Sequence, residues 1–180
     1  MGGKHPEYRF VKTRDELEDA LEEFRASKYR YLHISSHGNA KEFVFYFGSL
    51  PFREFADLLR GPLKHRRLFV SACECVNSSF VKLLIPSSEC YSIIGPHEKI
   101  YFDVAAVVWA SYYHLAFRRE HISMKRRRII RWLQKVTSLF RVNLHYYSPS
   151  GNGGINRKRL IGRISATLSN MSKTSRGRSH

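Results

Sequence analysis

Two short apolar runs that end alike constrain this chain more than any other feature. Residues 67–75 read R-L-F-V-S-A-C-E-C, and residues 29–38 read Y-R-Y-L-H-I-S-S-H-G. Apolar runs of this length, bounded by polar residues, read as buried strands of a parallel sheet. Open α/β sheets place ligands and chemistry at the carboxyl ends of their strands. The first run ends there in Cys73 and the second in His37-Gly38. If the two strands are neighbours, a thiol and an imidazole emerge at one edge. Those are the parts of a cysteine nucleophile and its base.

The rest of the chain fits an alternating pattern. Residues 7–11 (E-Y-R-F-V) read as a short strand. Thr13 and Glu16 form a capping box for a helix with Leu17, Leu21 and Phe24 on one face. Residues 43–47 (F-V-F-Y-F) are strongly β-prone, and Gly48-Ser49 turns the chain. Pro51 suits a first helical turn, followed by Phe52, Phe55, Leu58 and Leu59 at helical spacing. Residues 76–84 read as the helix after the Cys73 strand, and 91–95 (Y-S-I-I-G) as a further buried strand. Asp103 opens an apolar helix. A helix over 123–139 carries the cluster Lys125, Arg126, Arg127 and Arg128 on its first turns, where cations oppose the helix dipole. Residues 142–147 read as a last strand, and Ile155, Leu160, Ile161 and Ile164 as a short helix. Strands alternating with helices predict an α/β fold, doubly wound, with a mostly parallel sheet flanked by helices. The predicted organisation is one domain over residues 1–148 and a basic Gly/Ser/Arg-rich segment over 149–180, whose end reads as disordered.

Composition narrows the function classes. A chain of 180 residues with 43% hydrophobic content can bury a real core. It contains no apolar run of the roughly 20 residues that span a bilayer. Its N-terminus lacks the apolar stretch of a signal peptide. The expectation is a cytoplasmic protein with no membrane partner. Gly2 after Met1 is a weak myristoylation signal. The three cysteines, Cys73, Cys75 and Cys90, are an odd number with no secretory signal, which argues against a disulfide framework, and C-x-C without a second Cys/His pair does not make a zinc site. A formal net charge of +16 points to an anionic partner or to a solvated basic face.

Several of these motifs, in this order, resemble those of the caspase-like (clan CD) cysteine peptidases, most closely the CHAT branch. The carriers are H-I-S-S-H-G ending one strand, V-S-A-C-E-C ending the next, the I-I-G strand, the D-V-A-A opening of the following helix and the aromatic run Y-Y-H-L within it. The resemblance covers roughly residues 29–117. It implies a caspase-like fold, Cys73 as nucleophile, His37 as its partner, and the backbone N–H groups of Gly38 and Cys73 as the oxyanion hole. The chemistry agrees: a thiolate at neutral pH needs a nearby imidazole, and glycine lets the backbone approach a carbonyl. The chain departs from the family in having Cys75-Val76 where a small hydroxyl residue and glycine usually follow. This reshapes the pocket beside the nucleophile and makes Cys75 a second thiol, ranked below Cys73.

The resemblance implies a cysteine endopeptidase (a hydrolase) that needs no metal or organic cofactor. Its partners would be a protein substrate and a regulatory protein or larger complex, in a stress or defence setting; a homodimer also fits. Glu74, Cys75 and Asp103 are candidates for the substrate pocket, Glu74 by selecting a basic side chain. Asp103 reads equally as a helix cap. His33 reads as a core or interface histidine, and His97, His114, His121 and His145 as structural or surface residues. A second reading keeps the fold but not the activity: a silent module binding nucleic acid or an acidic protein through Lys125, Arg126, Arg127 and Arg128. A third, a small basic nucleic-acid-binding domain of another kind, requires His37 and Cys73 to lie far apart.

Overall fold

A computed structural model describes residues 6–117 and 125–162. The predicted capping box is formed. Thr13 Oγ1 accepts from the Glu16 N–H at 3.2 Å, and Glu16 reaches back to the Thr13 N–H at 3.3 Å. It starts α1 (Arg14–Ala26), which buries Leu17, Leu21 and Phe24. Side chains of this size each stabilise by about 1.5–3 kcal/mol on leaving water. The segment before it is not a strand. Tyr8 and Phe10 are exposed, so its β-prone residues have no sheet to join.

The apolar run after α1 forms β1 (Tyr31–Ser35). The chain then makes a small antiparallel sheet from β2 (His37–Gly38), β3 (Glu42–Phe45) and β4 (Gly48–Pro51). The aromatic run therefore pairs within its own ribbon, not in the main sheet. Pro51 occupies the position before α2 (Phe52–Leu59). The second apolar run is β5 (Arg67–Ser71), followed by α3 (Ser78–Ser88) and β6 (Ser92–Pro96).

Beyond these come α4 (Phe102–Phe117), α5 (Arg126–Phe140), β7 (Asn143–Pro149) and β8 (Ile155–Ile161). The last segment corrects the expectation of a short helix over 155–164. Ser150 N–H donates to the Gly154 carbonyl at 2.9 Å, closing a turn that returns the chain beside β7. A connection this short joins antiparallel strands. The main sheet has the order β1-β5-β6-β7-β8, with β1 parallel to β5 and β5 parallel to β6. The fold is thus mixed α/β around a mostly parallel sheet. No helix among the described residues is long and apolar enough to cross a membrane.

The chain forms two compact units. Among the described residues, one holds those up to Lys99 with His145–Lys158, and the other those of Ile100–Leu144 with 159–162. In the first, Phe43 of β3 lies 4.5 Å from Phe55 of α2 and 5.0 Å from Phe80 of α3, ring centre to ring centre. Phe43, Phe55 and Phe80 are completely buried, so the small ribbon is fixed to two helices by aromatic packing. In the second, α4 packs on α5, which buries Ile129, Leu133, Val136 and Thr137. His121, Ser123, Ile164 and the end of the basic segment, residues 163–180, lie outside the described residues, as does Gly2.

Candidate active site

Register decides what meets at the sheet edge. β1 and β5 pair with Ser35 opposite Ser71, and Ser36 N–H continues the ladder to the Ser71 carbonyl at 3.2 Å. His37 and Cys73 each follow two residues beyond that pair. They leave neighbouring strands at the same carboxyl edge, against the requirement of the third reading. His37 is exposed and Cys73 half-buried.

The two loops are then locked together. A Cβ on Gly38 would overlap Cys75 Sγ and lie 3.2 Å from the Glu42 carbonyl oxygen and 3.4 Å from that of Cys73. Only glycine permits so close an approach of the His37 ribbon to the Cys73 loop. Asn39 closes the ribbon's turn, its Oδ1 accepting from the Lys41 N–H at 2.8 Å and the Glu42 N–H at 3.3 Å. On the other side, Glu74 adopts a left-handed backbone (φ 57) immediately after Cys73. A bulky residue in that region is strained and persists only where its surroundings hold it.

Asn77 supplies much of that holding, and the sequence reading passed over it. Its Oδ1 caps α3, accepting from the Ser79 N–H at 2.9 Å and the Phe80 N–H at 3.2 Å. Its Nδ2 donates to the Glu74 carbonyl at 2.9 Å and to the Ala40 carbonyl at 3.1 Å. One side chain therefore ties the His37 ribbon, the Cys73 turn and the next helix. The signal was legible: asparagine directly before S-S-F-V is a helix start.

The three thiols differ in kind, and no disulfide joins them. Cys75 is completely buried beneath the ribbon, its Sγ 3.5 Å from the Asn39 carbonyl oxygen and 3.4 Å from that of Glu42. Burial pushes its thiol up to about 12, so it stays protonated at neutral pH. Cys90 is buried ahead of β6, at the opposite end of the strands, and burial raises its thiol as well. Cys73 is the thiol at the carboxyl edge that is not fully buried.

Other candidates fall elsewhere. Glu74 is half-buried in the strained turn. Asp103 lies in the first turn of α4, in the second unit, where its Oδ1 accepts from the Val104 N–H at 2.8 Å. Lys125 precedes α5, and Arg126, Arg127 and Arg128 form its exposed first turn. His33 sits in β1 opposite Phe69, and burial lowers its imidazole to about 4. His97 and His145, read singly from the sequence, form a pair. Their rings stack at 4.5 Å and 15°, and His145 Nδ1 lies 3.2 Å from the Tyr147 hydroxyl. His97 directly follows β6, so this pair lies in the first unit. Among the described residues, no three His, Cys, Asp or Glu side chains gather as a metal site.

The arrangement can present a half-buried thiol and an exposed imidazole from adjacent strands, on loops fixed by glycine contact and asparagine bonding. No family model matches the chain, and no curated protein matches it in sequence.

Proposed function

We propose that the protein is a caspase-like cysteine endopeptidase with Cys73 as nucleophile and His37 as general acid and base. The β1–β5 register, with Gly38 held against the Cys73 loop, carries the reading. The Cys73 thiolate attacks a peptide carbonyl, and the oxyanion is met by the N–H groups of Gly38 and Cys73. His37 protonates the leaving amine, and water then releases the acyl-enzyme. Glu74, beside the nucleophile, offers a carboxylate to a basic substrate side chain. The same resemblance extends the proposal to control by a regulatory partner, in a stress or defence setting.

The test is digestion of a mixed peptide library by the whole chain, with new N-termini identified by mass spectrometry. Wild type is expected to cut after a restricted set of residues. Cys73→Ala is expected to lose roughly 10⁴-fold or more of that activity, as removal of a nucleophile does. Cleavage that survives in Cys73→Ala contradicts the proposal.

A further inference from the structure

The positive charge is not spread over the chain. Up to Asp103, cations and acids nearly cancel. After it the chain carries 16 lysines and arginines against one acid, Glu120. The N-terminal half ties cations into ion pairs such as Arg14–Glu18, Arg60–Asp57 and Lys64–Glu89. Helix α5 cannot do so internally, because residues 126–140 contain no acid. Its neighbour α4 holds one, Asp103, in its own first turn.

The geometry of α5 sorts these charges onto one side. At about 100° per residue, Arg127, Arg131, Lys135, Arg128 and Trp132 fall within an arc of about 140°. Ile129, Leu133, Val136 and Thr137 fall on the opposite side and are buried. Arg127, Arg128, Arg131 and Lys135 are exposed, and Trp132 is half-buried at the margin of the arc. Lys135 Nζ lies 4.9 Å from the Trp132 ring centre. An indole beside Lys135, at the margin of an arc with three further cations on a helix that has no acid of its own, combines phosphate neutralisation with a stacking surface.

We propose that this face of α5 binds single-stranded nucleic acid. Cations alone would suit any polyanion. Trp132 favours a strand with unstacked bases over an acidic protein, which offers carboxylates but no planar rings to stack. A lipid surface fits less well, because the apolar side of the helix is already buried within its own unit. The proposal is independent of the peptidase reading: it concerns another unit of the fold and needs neither Cys73 nor His37.

The test is fluorescence anisotropy of labelled oligouridylate and oligothymidylate with the full-length Cys73→Ala chain over a range of salt. RNA and DNA share the required chemistry, and the two probes tell them apart. Affinity is expected to fall steeply with salt. The triple variant R127Q/R128Q/R131Q is expected to weaken binding at least about ten-fold, and to reduce the salt slope by about 2, at about 0.7 per phosphate contact. Trp132→Leu is expected to weaken binding about ten-fold, within the range for a lost base stack, with the salt slope unchanged. Circular dichroism checks that the variants are folded. The proposal is overturned by absence of wild-type binding, by a triple variant that binds like wild type, or by equal affinity for duplex. It is also overturned if polyglutamate binds more tightly than either strand and Trp132→Leu has no effect.

Discussion

The sheet edge and the exposed face of α5 handle polar groups in opposite ways. At the edge, polar atoms are bonded to one another. Asn77 reaches two carbonyls and two N–H groups, Asn39 closes its turn on two more N–H groups, and Cys75 lies against two carbonyls. On α5, Arg127, Arg128 and Arg131 are exposed on a helix with no acid of its own. Internal bonding fixes atoms at positions, which chemistry requires. Unbalanced charge fixes nothing, but it attracts from a distance, which capture requires. The contrast predicts that substitutions at the edge disturb the structure there, and the proposed activity with it, while substitutions on α5 leave the structure intact.

Gly38→Ala should show the largest structural effect. The added Cβ overlaps Cys75 Sγ, and overpacking costs about 1–3 kcal/mol. Denaturant titration should record that loss. In Gly38→Ala/Cys75→Ala the blocking sulfur is gone, so the double variant should regain much of the stability lost. Failure of that rescue would break the claim that the two loops interlock.

Asn77→Ala should follow, at about 1–2 kcal/mol, because it removes a helix cap and leaves two carbonyls without their donor. Melting curves would measure it. An unchanged melting temperature would show that the turn holds without Asn77.

A smaller effect concerns His33. Its folded pKa of about 4 lies below its ordinary value of 6.5. The unfolded chain therefore binds the extra proton between those values. The stability this ring contributes is complete above about pH 6.5 and is lost as pH falls toward 4. The residue as a whole is half-buried, which holds the loss to the order of 1 kcal/mol. Denaturation at several pH values, with His33→Phe as control, should show a shallower slope in the variant.

The smallest change should be of opposite sign. Arg127→Gln and Arg128→Gln each remove a cation that opposes the α5 dipole. Each should stabilise by a few tenths of a kcal/mol, visible as a slight rise in melting temperature at low salt. Destabilisation would mean that these arginines belong to the internal bonding after all.

Much of the fold was legible where one signal dominated. The runs ending in His37 and Cys73 became adjacent parallel strands because continuous apolar segments have nowhere to go but a sheet interior. The capping box fixed the start of α1. Residues 155–161 misled because an edge strand needs no alternation. Asn156, Arg157, Lys158 and Arg159 are all exposed, and charge on an edge is how a sheet avoids further pairing. Residues 7–11 misled in the opposite sense, since β-propensity does not supply a partner strand. At the candidate site, the emergence of His37 and Cys73 at one sheet edge could be guessed from two similar endings. The seat of Gly38 on Cys75 and the stacking of His97 on His145 could not, because both depend on contacts between residues far apart in sequence.

One measurement bears most directly on the pairing of His37 with Cys73: the rate of iodoacetamide labelling of each cysteine near neutral pH, resolved by mass spectrometry. Wild type, His37→Ala and His97→Ala would be compared. Fast labelling of Cys73 that collapses in His37→Ala and persists in His97→Ala is the predicted result, with Cys75 and Cys90 unreactive in the folded chain. Labelling of Cys73 that is indifferent to His37, or preferential labelling of Cys75, would contradict it.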